Sequence, residues 1–287
     1  MAMTSDMPNA APGGTFLLGG DLPVHRMGFG AMRITGDGVW GPPKDRPACI
    51  AVLRRAIELG VTFIDTAESY GPHVSETLIA EALHPYPAGL VVATKGGFDR
   101  PGSGRWTVNS RPARLREELD GSLLRLKVDR IDLFQLHRID PTVPEADQFG
   151  ALAAFQREGK VRHVGLSEVS VEEIVRARQH LPIVSVQNRY NFVDRDSDDV
   201  LDYCTREGIA FIPWYPLLVG KLGQGGGAVG RVARDLGVTP AQVALAWLLQ
   251  RSPVVLAIPG TSRVSHLEEN VAAAGITFSP EQWASLA

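Results

Sequence analysis

Eight short apolar runs recur along the chain, and a segment with helical periodicity separates each from the next. They are RMGFGAM, VTFID, LVVATK, RIDLFQLH, VRHVGLS, IVSVQN, IAFIPW and VVLAIP. Strands alternating with helices join as right-handed parallel crossovers, and eight such units close a barrel. The expected fold is therefore an α/β protein of the (β/α)₈ TIM-barrel type. Helical periodicity is expected over Arg46–Leu59, Ser75–Leu83, Arg111–Leu124, Ala146–Glu158, Val171–His180, Asp196–Glu207, Val229–Leu236, Pro240–Gln250 and Ser265–Ala273. Ser75, Ser110 and Thr239 suit helix N-caps, Pro112 and Pro240 suit first turns, and Gly60, Gly159 and Gly208 suit left-handed termination.

Ahead of the repeat, TFLLGGDLPVHRM places two apolar stretches around Gly19, Gly20 and Asp21, which reads as an N-terminal β-hairpin. Residues 1–13 read as a disordered lead-in. With no linker or composition shift beyond them, residues 14–287 are expected to form one barrel domain. The chain is 44% hydrophobic and 21% charged, with a formal net charge of −3. That balance offers neither nucleic acid nor an anionic membrane a basic field, and small-molecule partners are expected instead. The opening residues lack a basic and an apolar signal region and no apolar run is long enough to span a bilayer, so a cytoplasmic protein is expected. No apolar stripe marks an interface, so a monomer is expected. Cys49 and Cys204 stand in separate helical segments and read as buried structural thiols.

The C-terminal ends of parallel barrel strands converge on one face, so polar residues closing apolar runs are candidates for chemistry. Asp65, Lys95, His137, Ser167, Gln187 with Asn188, and Trp214 close six runs in succession. Together they bring an acid, a cation, a base, a hydroxyl, amides and an aromatic ring to one rim.

The motifs D65-T-A-E-S-Y70-G, T94-K95-G, Q135-L-H137, G165-L-S167-E, Q187-N-x-Y190-N and I258-P-G-T-S-R263 with E269-N270 resemble those of the aldo-keto reductases. The resemblance spans residues 16–274 and implies the barrel fold and NAD(P)H-dependent carbonyl reduction. It implies that Asp65, Tyr70, Lys95 and His137 form a catalytic tetrad. The chemistry agrees with that set. Hydride arriving at a carbonyl carbon builds charge on oxygen, and Tyr70 can supply the proton. A phenol with a pKa of about 10 is a weak acid at neutral pH, and Lys95, held by Asp65, is expected to bring that value down. His137, if neutral, donates a second hydrogen bond to the carbonyl oxygen.

The same resemblance implies NADPH as cofactor. Ser167 and Gln187 would sit at the carboxamide, Trp214 on the nicotinamide ring with Tyr215 and Leu217 also at the cofactor, Lys221 near the pyrophosphate, and Ser262, Arg263, His266, Glu269 and Asn270 around the adenosine end. Arg263 and Ser262 open a helix, where free amides favour a phosphate. One departure stands out: Glu168 replaces the usual Asn after Ser167, and can accept from a carboxamide NH₂ but cannot donate to its oxygen. G28-F-G30-A-M-R fails the last position of a Rossmann fingerprint, G223-Q-G225-G-G-A228 fits it but does not directly follow an apolar strand, and residues 220–230 read as a flap over the pyrophosphate. Met32, Trp40, Trp106, Arg138 and also Arg105 are expected to wall the substrate pocket, which the short tail after the last helix leaves open. The stretches GFGAM, GPPKDR, YGPHV, QVALAWLLQRSP and IPGTS resemble bacterial members that reduce pyridoxal. Two alternatives use the same residues: a Lys95 Schiff-base lyase and a non-catalytic nicotinamide-sensing module.

Overall fold

In the computed structural model, which describes residues 7–217 and 227–286, the chain starts with a 3₁₀ turn at Ala11–Gly13 and a hairpin of β1 (Thr15–Leu18) and β2 (Leu22–His25). The expected lead-in is ordered over its described part: Ala10 is buried and its amide bonds the Leu59 carbonyl at 2.9 Å. Residues 1–6 lie outside the described residues.

The barrel follows as β3 (Phe29–Gly30), α1 (Arg46–Glu58), β4 (Phe63–Asp65), α2 (Val74–Leu83) and β5 (Val91–Gly96). After β5 comes a second hairpin, β6 (Phe98–Gly102) and β7 (Arg105–Val108), then α3 (Pro112–Leu126), β8 (Ile131–Leu136), α4 (Glu145–Arg157), β9 (Val161–Ser167) and α5 (Val171–Arg178). The remaining elements are β10 (Ile183–Gln187), α6 (Asp198–Glu207), β11 (Ala210–Phe211), α7 (Ala228–Leu236), α8 (Pro240–Arg251), α9 (Val264–Ala272) and α10 (Pro280–Leu286). Seven strands pair in parallel in the order β3, β4, β5, β8, β9, β10, β11.

The eighth apolar run, VVLAIP, does not form a ladder as expected. Pro253 precedes it and Pro259 ends it, and neither brings an amide donor. It nevertheless bridges the two edges: Leu256 N bonds Phe211 O at 2.9 Å on one side, and Ala257 N bonds Arg26 O at 2.8 Å on the other. Arg26 seals this seam by donating to the carbonyls of Val255 at 3.1 Å, Ser252 at 2.6 Å, Gly13 at 3.3 Å, and Leu249.

Leu18 and Val24 of the first hairpin are fully buried against Phe63, Val91, Leu133 and Ile212 inside the barrel, so β1 and β2 close its floor. Burying side chains of that size contributes about 1.5–3 kcal/mol each. A larger apolar layer lies between the strands and the helices.

The helix signals hold in part. Thr239 caps α8 in a reciprocal pair with Gln242, as its sequence suggests. Ser75 and Ser110 are not caps, because their hydroxyls are spent joining loops: Ser75 Oγ bonds Thr66 Oγ1 at 2.7 Å and Ser110 Oγ donates to the Arg138 carbonyl at 2.8 Å. His73 and Arg111 occupy those N-cap positions. The β6–β7 hairpin and α10 were not signalled in the sequence, and α10 occupies the short tail after the last expected helix. Cys49 and Cys204 are buried, and burial pushes both thiols up. No helix among the described residues is long and apolar enough to cross a membrane.

Candidate active site

The strand ends deliver their polar groups to one cavity of about 490 Å³. Lys95 ends β5 wholly buried, and its ammonium donates to Asp65 Oδ1 at 2.6 Å, the Thr66 carbonyl at 2.8 Å and Tyr70 Oη at 3.4 Å. Asp65, ending β4, is held on its other oxygen by the amides of Gln135 at 3.0 Å and Gln187 at 2.9 Å. Tyr70 arrives from the loop after β4, and His137 from the end of β8, with ring centroids 6.0 Å apart. Ser69 Oγ lies 3.5 Å from His137 Nδ1. The four residues named from the sequence as a tetrad therefore form one cluster.

Electrostatics decide their protonation. Burial alone would lower the Lys95 ammonium, but Asp65 and then Tyr70 outweigh it and the net direction is upward, so Lys95 stays charged. His137 is driven well below the ordinary imidazole value, first by burial and then by the charges of Lys95, Arg138 and Arg100. It is therefore a neutral imidazole with a hydrogen to donate. The expectation for Tyr70 is corrected: its phenol is raised, because burial outweighs the lowering by Lys95 and Asp65 opposes that lowering. The ammonium is already paired with a carboxylate, so less of its field reaches the phenol. Tyr70 is thus a protonated donor in the resting protein.

The cavity walls are Met32, Phe98, Trp106, Trp214, Tyr215, Leu217 and Ile258, with Arg138 and Arg33 among the charged residues. Met32, Trp106 and Arg138 were expected there. Trp40 and Arg105 were expected too and are not among the lining residues. Trp40 instead faces Arg100, whose guanidinium carbon lies 5.5 Å from its ring and 3.5 Å from the centroid of Trp106. Arg105 turns away and donates to Pro101 O at 3.2 Å. Arg100 was not picked out in the sequence. It donates to Ser69 O at 2.6 Å, Val39 O at 3.1 Å and Arg105 O at 3.1 Å, tying three loops together behind Trp106. Phe98 was missed as well, although it follows the strand-end Lys95 by three positions.

Of the residues expected at the cofactor, Ser167, Gln187, Trp214, Tyr215 and Leu217 line the cavity. Ser167 Oγ accepts from Arg138 at 3.1 Å. Asn188 is a loop tie, exchanging hydrogen bonds with the backbone of Val169. Glu168 has a positive φ, and its Oε1 accepts from Arg189 N at 2.6 Å and Trp214 Nε1 at 2.5 Å. It therefore braces the Trp214 ring rather than standing free for a carboxamide. Lys221 and most of the expected flap lie outside the described residues.

At the far end of the cleft, Gly30 and Gly260 face each other so closely that a Cβ on either would meet the other side's backbone at 2.5 Å. This leaves a narrow backbone cradle leading to α9. Ser262, Arg263 and His266 are exposed at the start of that helix, and Arg263 lies 3.3 Å from His266. Glu269 accepts from Thr239 Oγ1 at 2.7 Å, tying α9 to α8, and Asn270 is buried. Among the described residues, neither Arg33 nor Arg263 has a carboxylate within 4.0 Å. The unpaired cations, the free amides of α9 and the flat aromatic walls fit a dinucleotide carrying phosphates. No cluster of His, Cys, Asp or Glu among the described residues has the arrangement of a metal site.

Comparison with known proteins agrees with this geometry. The model of the Aldo/keto reductase family matches residues 26–287. An oxidoreductase of Schizosaccharomyces pombe is 56% identical over 98% of this chain and 92% of its own. Pyridoxine 4-dehydrogenase of Escherichia coli is 43% identical over 95% of this chain and 96% of its own. A solved Klebsiella pneumoniae aldo-keto reductase in complex with NADPH superposes with a TM-score of 0.80 at 27% identity, covering 95% of this chain and 93% of that one.

Proposed function

Since the chain belongs to the aldo/keto reductase family, we propose that it reduces an aromatic aldehyde of the pyridoxal type to its alcohol, with Tyr70 as the acid. It is an NAD(P)H-dependent oxidoreductase on the (β/α)₈ barrel, and NADPH is the cofactor. The observation that carries the roles of the residues is the buried Asp65–Lys95 pair with Tyr70 Oη on it and neutral His137 beside it.

NADPH, when bound, supplies the hydride to the carbonyl carbon. Tyr70 and His137 orient the carbonyl oxygen with two hydrogen bonds, and the Tyr70 proton passes to that oxygen as negative charge builds there. The phenolate left on Tyr70 is stabilised by Lys95, whose own charge Asp65 keeps in place. Trp214, Ser167 and Tyr215 would hold the nicotinamide end, and Arg263 with Ser262 the phosphate of the adenosine end. The similarity to pyridoxine 4-dehydrogenase and the aromatic walls support a pyridine aldehyde as substrate. The three hydrogen bonds of the buried Lys95 leave no free amine for a Schiff base, and the complete proton-donor cluster argues against a sensing module.

NADPH oxidation with pyridoxal and a panel of simple aldehydes tests this reading. Pyridoxal should be among the better substrates, and Tyr70→Phe should bind NADPH normally while losing about 10²- to 10⁴-fold in turnover. Near-normal reduction by the Phe variant removes Tyr70 from the acid's role, and borohydride trapping of substrate on Lys95 overturns the mechanism. A second measurement addresses the cofactor. Fluorescence titration should show NADPH binding more tightly than NADH, and Arg263→Ala should cut that preference about tenfold, the worth of one charge-assisted bond. An unchanged ratio places the 2′-phosphate elsewhere.

A further inference from the structure

Arg138 is a charge without a counter-charge inside the cavity. It follows His137 directly in sequence, lines the cavity, and is half-buried. One nitrogen, Nη1, donates to His137 O at 2.5 Å and Ser167 Oγ at 3.1 Å, fixing the guanidinium beside the proton-donor cluster. Among the described residues, no carboxylate lies within 4.0 Å of it, and Nε and Nη2 meet no acceptor. The carboxylate whose charge reaches it is Glu168, but Glu168 Oε1 is already committed to Arg189 N and Trp214 Nε1. Burial accordingly lowers the Arg138 guanidinium from its ordinary value.

A half-buried cation left unpaired is unfavourable, and sites that keep one usually receive the opposite charge from a ligand. Deeper in the wall Lys95 is already paired with Asp65 at 2.6 Å, and Arg33, the other guanidinium lining the cavity, is exposed to solvent. The place of Arg138 also limits where the anion sits. Its Nη1 rests on the His137 carbonyl at 2.5 Å, and it lines the same cavity as His137 and Tyr70, the two groups that hold the carbonyl oxygen in the reading above. An anionic oxygen meeting its free N–H groups must therefore lie a few bonds from the carbonyl carbon, not at the distant end of the substrate. The walls on either side, Phe98 with its centroid 5.6 Å from the guanidinium, Trp106 and Trp214, suit a planar ring.

Building on the carbonyl-reductase reading, we propose that Arg138 binds an oxyanion carried on the ring atom next to the aldehyde, making ortho-oxido aromatic aldehydes the preferred substrate class. A ring 3-oxide beside a 4-aldehyde, as pyridoxal carries, fits this arrangement. The oxide is a spectator in the reaction: hydride adds to the carbonyl carbon, the Tyr70 proton adds to its oxygen, and the ring oxygen keeps its charge and its pairing with Arg138. That charge orients the aldehyde, and the guanidinium favours the ionised ring.

The test compares 3-hydroxypyridine-4-carbaldehyde with its 3-methoxy analogue, using pyridine-4-carbaldehyde as the uncharged control, for the unmodified protein, Arg138→Met and Arg138→Lys. The unmodified protein should prefer the hydroxy aldehyde over the methoxy one in kcat/KM by about tenfold or more, the worth of a hydrogen bond to a charged group. Arg138→Met should bring the ratio near one, and Arg138→Lys should restore part of it. A second readout needs no turnover. In mild acid, where the free ring hydroxyl still holds its proton, the near-ultraviolet band of pyridoxine should shift toward the oxide form on binding to the unmodified protein and not to Arg138→Met. Reduction of the uncharged control without a hydroxy-over-methoxy preference, or a preference that survives Arg138→Met, overturns this proposal alone. Failure of all three aldehydes to oxidise NADPH overturns it together with the reductase reading.

Discussion

Two buried carboxylates flank β5, and they are handled in opposite ways. On the inner side, both oxygens of Asp65 are bonded, one to Lys95 and the other to the amides of Gln135 and Gln187. On the outer side, Glu118 of α3 reaches the amide of Gly97 at 2.6 Å through Oε2, while its other oxygen has no hydrogen-bond partner. Four carboxylates, Glu68, Asp99, Glu117 and Glu118, lie within 3.4 Å of the single guanidinium of Arg114. Charge cancels on the inner side and is in excess on the outer. The result is that Lys95 is held charged, whereas the carboxyl of Glu118 is pushed up to about 8, by burial first and then by Glu68 against the pull of Arg114. Preorganised chemistry needs the first arrangement, because a charge that titrates near neutrality cannot be relied on to steady a phenolate.

The sharpest way to break the contrast is to remove the inner cation. Lys95→Met leaves Asp65 buried with amide donors alone, so beyond abolishing turnover it should destabilise the fold by about 3–5 kcal/mol in urea denaturation at neutral pH. If the midpoint barely moves, the inner charges are not compensating each other. A smaller effect is expected from Glu118→Gln, whose side-chain oxygen can still accept from Gly97. In the folded chain Glu118 keeps its proton at pH values where the unfolded chain has lost it. The contribution of Glu118 to stability is therefore greatest below the ordinary value of 4.5, falls as pH rises from there to about 8, and levels off above that. Melting of the unmodified protein should drop a few degrees more across that window than melting of the Gln variant. Parallel curves for the two proteins assign the slope to other groups.

How much could be read from the sequence depended on whether a residue's task was local. Asp65, Lys95 and His137 close strands of period two, and a strand-end position in a parallel barrel fixes where a side chain points, so their meeting was legible. Tyr70 needed the family motif, since it sits on a loop tied by the Gly71 amide to the Val39 carbonyl at 3.3 Å and set edge-on to Trp106. Arg100 and Phe98 lie on a hairpin inserted after β5, and neither turn chemistry nor periodicity announces how that hairpin folds back over the cavity. Trp40 was misplaced for the same reason: a loop tryptophan reads as a pocket wall, but its partner Arg100 comes from sixty residues further along. The direction of the Tyr70 shift was also beyond the sequence, because it depends on how far Asp65 offsets Lys95 once all three are buried. The eighth strand was right in place and wrong in form, and Pro253 and Pro259 were the available warning.

That seam carries a consequence for how the molecule comes into being. Arg26 and Met27, near the start of the chain, are joined to Val255 and Ala257. The ring of strands therefore cannot close until residue 257 has been made. A join between such distant parts of the chain carries a large loop-closure cost, which delays it relative to local pairings. The growing chain must remain soluble through that interval, and the carbonyls that Arg26 finally gathers are what it meets at the end of it.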